Sequence, residues 1–104
     1  MRPTVYLSGP MTGLPNLNFP RFDFIKRRLE RHGFDVLSPA DLDRKRNPNM
    51  SYEDRLRDDI HHLIDPSLRF IFMMEGWQNS KGALAEFAVA KAIGLAVIYE
   101  NEVF

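Results

Sequence analysis

Four short apolar runs constrain this chain more than any other feature. They are TVYLSG at 4–9, FDVLSP at 34–39, RFIFMM at 69–74 and LAVIYE at 95–100. Each is rich in β-branched and aromatic residues and bounded by Gly or Pro or by polar segments, the pattern of a buried strand. Helix-length segments separate them. Strands alternating with helices give a β-α-β-α-β-α-β chain, whose strands pair in parallel because each returns through a crossover. The expected fold is α/β, a small Rossmann-like or flavodoxin-like parallel sheet of about four strands with helices on both faces. A chain of 104 residues accommodates this as one domain, 1–104.

Local signals set the connections. The loop GPMTGLPNLNFP holds two glycines and three prolines, so it is irregular but stiff. Pro20 begins a helix over RFDFIKRRLERHG, with Phe22, Ile25 and Leu29 at core spacing and Gly33 as its stop. ADLDRKRNPNM reads as a polar loop whose charge run is solvated. Ser51, with Asp54 three residues on, carries a capping-box signature and opens a helix running to about Asp65, before Pro66. The turn EGWQNSKG leads into a helix of small and apolar residues that Gly94 ends. In open parallel sheets ligands bind beyond the carboxyl ends of the strands, where strand order reverses. With order 2-1-3-4 that crevice lies between the first and third strands, and the loops leaving them, SGPMTG and EGWQNSKG, locate a candidate pocket.

Composition narrows the chemistry. Fourteen basic and fourteen acidic side chains cancel, which gives no electrostatic footprint for a nucleic-acid polymer or a membrane. The absence of cysteine excludes disulfides, thiolate catalysis and cysteine-ligated zinc. No apolar run approaches the ~20 residues of a membrane span and no signal-peptide pattern opens the chain, so a cytoplasmic location is expected. His61 and His62 flank no acidic ligand set with metal spacing, and His32 falls near a helix end; no metal site is expected. There is no P-loop, and SGPMTG lacks the spacing of a dinucleotide fingerprint.

Two carboxylates fall on unexpected faces. On a wheel at ~100° per residue, Glu86 lies between Ile93 and Ala90, close to Gly82, with Lys91 on the far side. Ser80 is a plausible N-cap for that helix, too far from Glu86 for a capping box. In the helix from Ser51, Tyr52, Leu56, Ile60 and Leu63 form the apolar stripe, and Asp59 lies at its edge while Asp58 points elsewhere. Each carboxylate alone has an ordinary reading, as a half-exposed acid paired elsewhere or reaching solvent. Together, facing inward from two helices that flank the crevice, they form the kind of pair that cleaves glycosidic bonds, one as nucleophile and one as acid. Apolar surroundings and a like-charged neighbour would hold a proton on one of them near neutrality.

VYLSGPMTG, RDDIHHLID and NSKGALAEFAVAKAIG resemble segments of the nucleoside 2-deoxyribosyltransferase superfamily. That group includes 2′-deoxynucleoside 5′-monophosphate N-glycosidases and small, often phage-encoded relatives, which this chain looks closest to. The resemblance spans nearly the whole chain. It implies Glu86 as nucleophile at the anomeric carbon and Asp59 as the acid assisting departure of the base. It implies that Tyr6 and Gly9 line the sugar and base pocket; Ser8, Pro10, Met11, Ser80 and Gly82, from the same two loops, complete the expected substrate contacts. Six residues before the nucleophile, the nucleoside transferases carry an aspartate and the monophosphate hydrolases a serine; here the residue is Ser80. A serine hydroxyl beside helix N-terminal amides suits a phosphate, and the same serine equally serves as a plain N-cap. The hydrolases also place a serine and an arginine in the first loop, where this chain has Pro10 and Thr12, so Arg21, Lys81 or a neighbouring subunit would have to supply the charge.

The resemblance thus implies an N-glycosidase for a (deoxy)nucleoside 5′-monophosphate that needs no cofactor, with base exchange and non-catalytic nucleotide binding as alternatives. Its partner would be a small nucleotide or nucleoside. The apolar surface of the last long helix exceeds what one face of a sheet covers, which points to a homodimer or higher oligomer. Among the aromatics, Phe22 fits the core, Phe19 or Phe24 would stack on a base or fill a core or subunit contact, and Trp77 would wall the pocket or cover the sheet edge.

Overall fold

Alternation along the first strand, β1 (Thr4–Ser8), divides the molecule into two layers. Val5 and Leu7 point to one face of the sheet and Tyr6 and Ser8 to the other, all four buried. The computed structural model describes residues 2–104. Three further strands, β2 (Asp35–Leu37), β3 (Phe70–Met73) and β4 (Ala96–Tyr99), lie parallel in the order β2-β1-β3-β4. Tyr6 stands opposite Leu37 on one side and Ile71 on the other, and Ser8 opposite Met73. The α/β sheet and its strand order agree with the expectation from sequence, and the reversal of order falls at β1/β3.

Helices cover both faces. On the first lies α1 (Phe19–Arg31), whose buried Phe22, Ile25 and Leu29 pack on Val5, Leu7, Phe72 and Met74. Pro20 sits in its first turn and Gly33, at φ 96°, follows its end, the conformation in which glycine lacks the Cβ penalty. The opposite face carries α3 (Tyr52–Leu63) and α4 (Lys81–Ala92), joined through Leu63, Ala83 and Ala90 to Tyr6, Ile71 and Met73.

The polar-loop expectation for 40–50 is corrected. Residues Pro39–Lys45 form a helix, α2, with Ser38 as N-cap accepting from the Ala40 amide and Pro39 in the first turn. Its buried Ala40 joins the α1 layer, which supplies the stabilisation that charge composition hides. A last turn, α5 (Glu100–Val103), was not foreshadowed; Glu100 is buried, accepts from the Glu75 amide and pairs with Arg21. The helix from Ser51 stops at Leu63, slightly short of the expected Asp65.

Candidate functional site

Small residues bring α4 close to the sheet. Ser80 caps it, its Oγ accepting from the Ala83 amide, and Ala83, Glu86 and Ala90 form its buried row. Glu86, 5% exposed, reaches the end of β1. The Tyr6 hydroxyl donates to Oε2 at 2.6 Å and the Ser8 hydroxyl donates to Oε1 at 2.6 Å. Both carboxyl oxygens are therefore acceptors, held by two rigid strand positions two residues apart. Ile93, expected on the same face, instead caps the helix and is 48% exposed.

From α3, capped by Ser51 accepting from the Asp54 amide, Asp59 turns inward as expected. Its Oδ1 accepts from Arg46 at 2.6 Å. Arg46 also donates to Asp43 Oδ1 at 2.6 Å and to Asp58 Oδ2 through two of its nitrogens, at 2.7 and 3.2 Å. Only 6% of its side chain is exposed. Arg46 lies in the run read as a solvated charge cluster, and that reading is corrected here. Tyr52 is likewise no core residue: it stands on the open wall, 36% exposed, with its hydroxyl above Gly82, where a Cβ would come within 3.1 Å of it.

Asp59 and Glu86 open on one cavity of about 750 Å³ beyond the carboxyl end of β1. Gly9, Pro10, Met11, Ser80 and Gly82 line it, as the two loops suggested. Tyr6 and Ser8 stand behind Glu86 rather than on the wall. Gly9 permits the loop to leave β1 against Met74, since a Cβ there would meet Met74 Cβ at 2.8 Å. Lys81 lies on the wall, whereas Arg21 is committed to Glu100 outside it. The wall also includes Asp43, Glu53 and Arg55, none of them anticipated. A capping signature marks where α3 starts, but nothing in sequence spacing brings Asp43 or Arg46 against it.

Burial, and then the charge of Asp59, pushes Glu86 up to about 8, against the opposing pull of the Ser8 and Tyr6 hydroxyls. Burial pushes Asp59 up to about 6, with Arg46 acting the other way. Tyr6 is raised well above its ordinary value by burial and by Glu86, which keeps it a donor. Taken singly, these values would leave the proton on Glu86 at neutral pH. The two carboxyls titrate as a coupled pair that shares a proton near neutrality: the Ser8 and Tyr6 hydroxyls favour the ionised form of Glu86, and Asp59, with an oxygen not bonded to Arg46, is the other position that proton can take.

Trp77 packs on Phe87, ring centroids 4.7 Å apart, and on Tyr99 at 6.2 Å, away from this cavity. Phe19 packs against the α1 core layer with Arg44 over its ring, and Phe24 is 42% exposed between Arg21 and Arg28. Among the described residues, no group of three or more His, Asp or Glu is placed to hold a metal ion. No helix among them is long and apolar enough to cross a membrane.

Fold and site together define a Rossmann-like α/β domain with an acid pair at the switch point of its sheet. Residues 3–99 match the family described as a domain of unknown function, DUF4406, and the chain belongs to that family. No curated protein matches it.

Proposed function

We propose that this protein is an N-glycosidase that hydrolyses the base–sugar bond of a (deoxy)nucleoside 5′-monophosphate, as the resemblance to the nucleoside 2-deoxyribosyltransferase superfamily implies. The observation that carries the reading is Glu86, buried beside the cavity that Asp59 shares, with a hydroxyl donor on each of its oxygens. Fixed donors orient a carboxylate for attack, and the apolar surroundings leave it poorly solvated and reactive.

In the first step a Glu86 oxygen forms a bond to C1′ as the C1′–N bond breaks. The bonding pair leaves with the base nitrogen, and the Asp59 proton passes to the base. In the second, a water oxygen bonds to C1′, the Glu86–C1′ bond breaks with its electron pair returning to Glu86, and Asp59 takes the water proton. The phosphate would sit at the start of α4. The Lys81 and Gly82 amides there lack acceptors among the described residues, and the Ser80 hydroxyl and the Lys81 ammonium are adjacent. A second copy of the chain would cover Leu84 on α4, which is 45% exposed, and sedimentation velocity checks for it.

The deciding measurement is chromatographic. Purified protein is incubated with deoxy- and ribonucleoside 5′-monophosphates and the matching nucleosides, with and without a second free base, beside Glu86→Ala. Free base released from a monophosphate by the wild type alone is the expected result. Product only when a second base is added would make the reaction base exchange. Binding without product, undiminished in Glu86→Ala, would make the protein a nucleotide-binding module.

A further inference from the structure

The buried cluster around Arg46 is more elaborate than an acid needs for mere neutralisation. One guanidinium faces Asp43, Asp58 and Asp59, using four of its five N–H groups. Arg55 approaches only Asp43, at 3.9 Å, and His62 only Asp58, at 3.7 Å. Asp59 gives Oδ1 to Arg46, while Oδ2 accepts no hydrogen bond among the described residues and is not fully buried, in a residue that lines the cavity. Arginine has no acceptor and no proton to lose. An Asp59 proton therefore belongs on Oδ2, the oxygen that Arg46 leaves free.

We propose that Arg46 is the positioning residue of the acid: it fixes Asp59 so that the proton delivered to the departing base sits on Oδ2. This rests on the N-glycosidase reading. Asp43 and Asp58 have a part in it. An arginine paired with Asp59 alone would strip the acid of its proton, as close opposite charge does. Two further carboxylates on the same guanidinium spread its charge, so Asp59 is oriented by a cation and still holds a proton. The charged and titratable groups facing Asp59 are Tyr6 from β1, Arg46 and Asp43 from α2 and the segment after it, Tyr52 and Asp58 from α3, and Glu86 from α4. A lone ion pair would give the orientation without the proton, and an acid without Arg46 would give the proton without the orientation.

The test compares wild type, Arg46→Met, Arg46→Lys and Asp58→Asn on nucleotides whose bases differ in leaving ability. Suitable series are a purine with its N7-methyl form, or uracil with its 5-fluoro and 5-bromo forms. An N7-methylated base carries its charge already and departs without a proton. Arg46→Met is expected to lose roughly 30-fold in kcat on the parent base and less than about 3-fold on the best leaving group, with KM nearly unchanged, because only acid assistance is lost. Arg46→Lys should fall between. Asp58→Asn, at a side chain 42% exposed on α3, should move the alkaline limb of the pH–rate profile to lower pH. Carbon-13 titration of the Asp59 carboxyl gives a second readout that needs no turnover: its midpoint should rise in Arg46→Met and fall in Asp58→Asn.

An equal loss across the series would make Arg46 a structural residue and overturn the proposal. If Arg46→Met does not fold, Arg46→Lys and Asp58→Asn decide. A wild type that releases no base from any nucleotide defeats the glycosidase reading. An Asp59 midpoint unmoved by these substitutions defeats the role of Arg46 whether or not the protein turns over.

Discussion

Tyr6 and Ser8 reach Glu86 from positions two apart on one strand, so the period of a strand, which puts alternate side chains on one face, builds the clamp. Removing one arm tests how much each contributes. Tyr6→Phe leaves Oε2 buried without its donor, which should cost about 1–3 kcal/mol of stability by urea denaturation. It should also raise the proton affinity of Glu86, since the hydroxyl opposes the upward shift there. The base-release rate at pH 7 is expected to drop roughly 10-fold and to recover in part toward higher pH, where Glu86 ionises again. A pH-independent loss would mean that Tyr6 serves only packing. At this scale the sequence exposed Glu86 and Asp59 through their places on a helical wheel. Their partners stayed hidden: Tyr6 and Ser8 lie 80 and 78 positions from Glu86, and local periodicity does not encode that pairing. Arg46 was hidden for another reason, because a run of charges looks alike whether solvated or folded over buried acids.

Helix boundaries were the most legible elements, since caps are local chemistry. Ser51, Ser80, Pro20 and Gly33 all stand where their residue types predict. The same signals were present for α2 in Ser38, Pro39 and Asp41, and the charges that follow masked them. What makes α2 stable is Ala40 against the α1 layer, a tertiary term that no local window contains. α3 carries the acid and its cap is simple, so it gives a clean test at this scale. Ser51→Ala removes the acceptor for the Asp54 amide, at 3.0 Å, and should cost about 1 kcal/mol, with Ser51→Gly costing a few tenths. Chemical denaturation reads both. Because the cap lies two turns from Asp59, the base-release rate should stay within about 2-fold of wild type, which separates loss of helix stability from loss of the acid. Equal damage to rate and stability would mean that the α3 terminus is coupled to the site.

Across the molecule, two buried acids with raised proton affinity tie folding to pH in an unusual direction. In the unfolded chain Asp59 and Glu86 return to their ordinary values near 4, whereas in the fold they lie at about 6 and about 8. The folded state therefore binds protons that the unfolded state has released. Stability from these two groups is fully present below their unfolded values and is lost as pH rises through the folded ones. Asp58 has the opposite sign, held low by Arg46, but its exposed side chain makes that contribution small. Over pH 5.5 to 8.5 the melting temperature should accordingly fall. Glu86→Gln tests the assignment, since the amide keeps an acceptor for one hydroxyl and offers its own donor to the other, without any charge to bury. At pH 5 the variant should melt within about 2 °C of wild type; at pH 8.5 it should melt roughly 5 °C higher, as one buried charge of order 1 kcal/mol would give in a domain of this size. A gap between the two proteins that stays constant over the whole range would remove Glu86 from the pH dependence. Closure of the gap on acidification would identify the clamped carboxylate as the group whose ionisation the fold opposes, the condition a desolvated nucleophile requires.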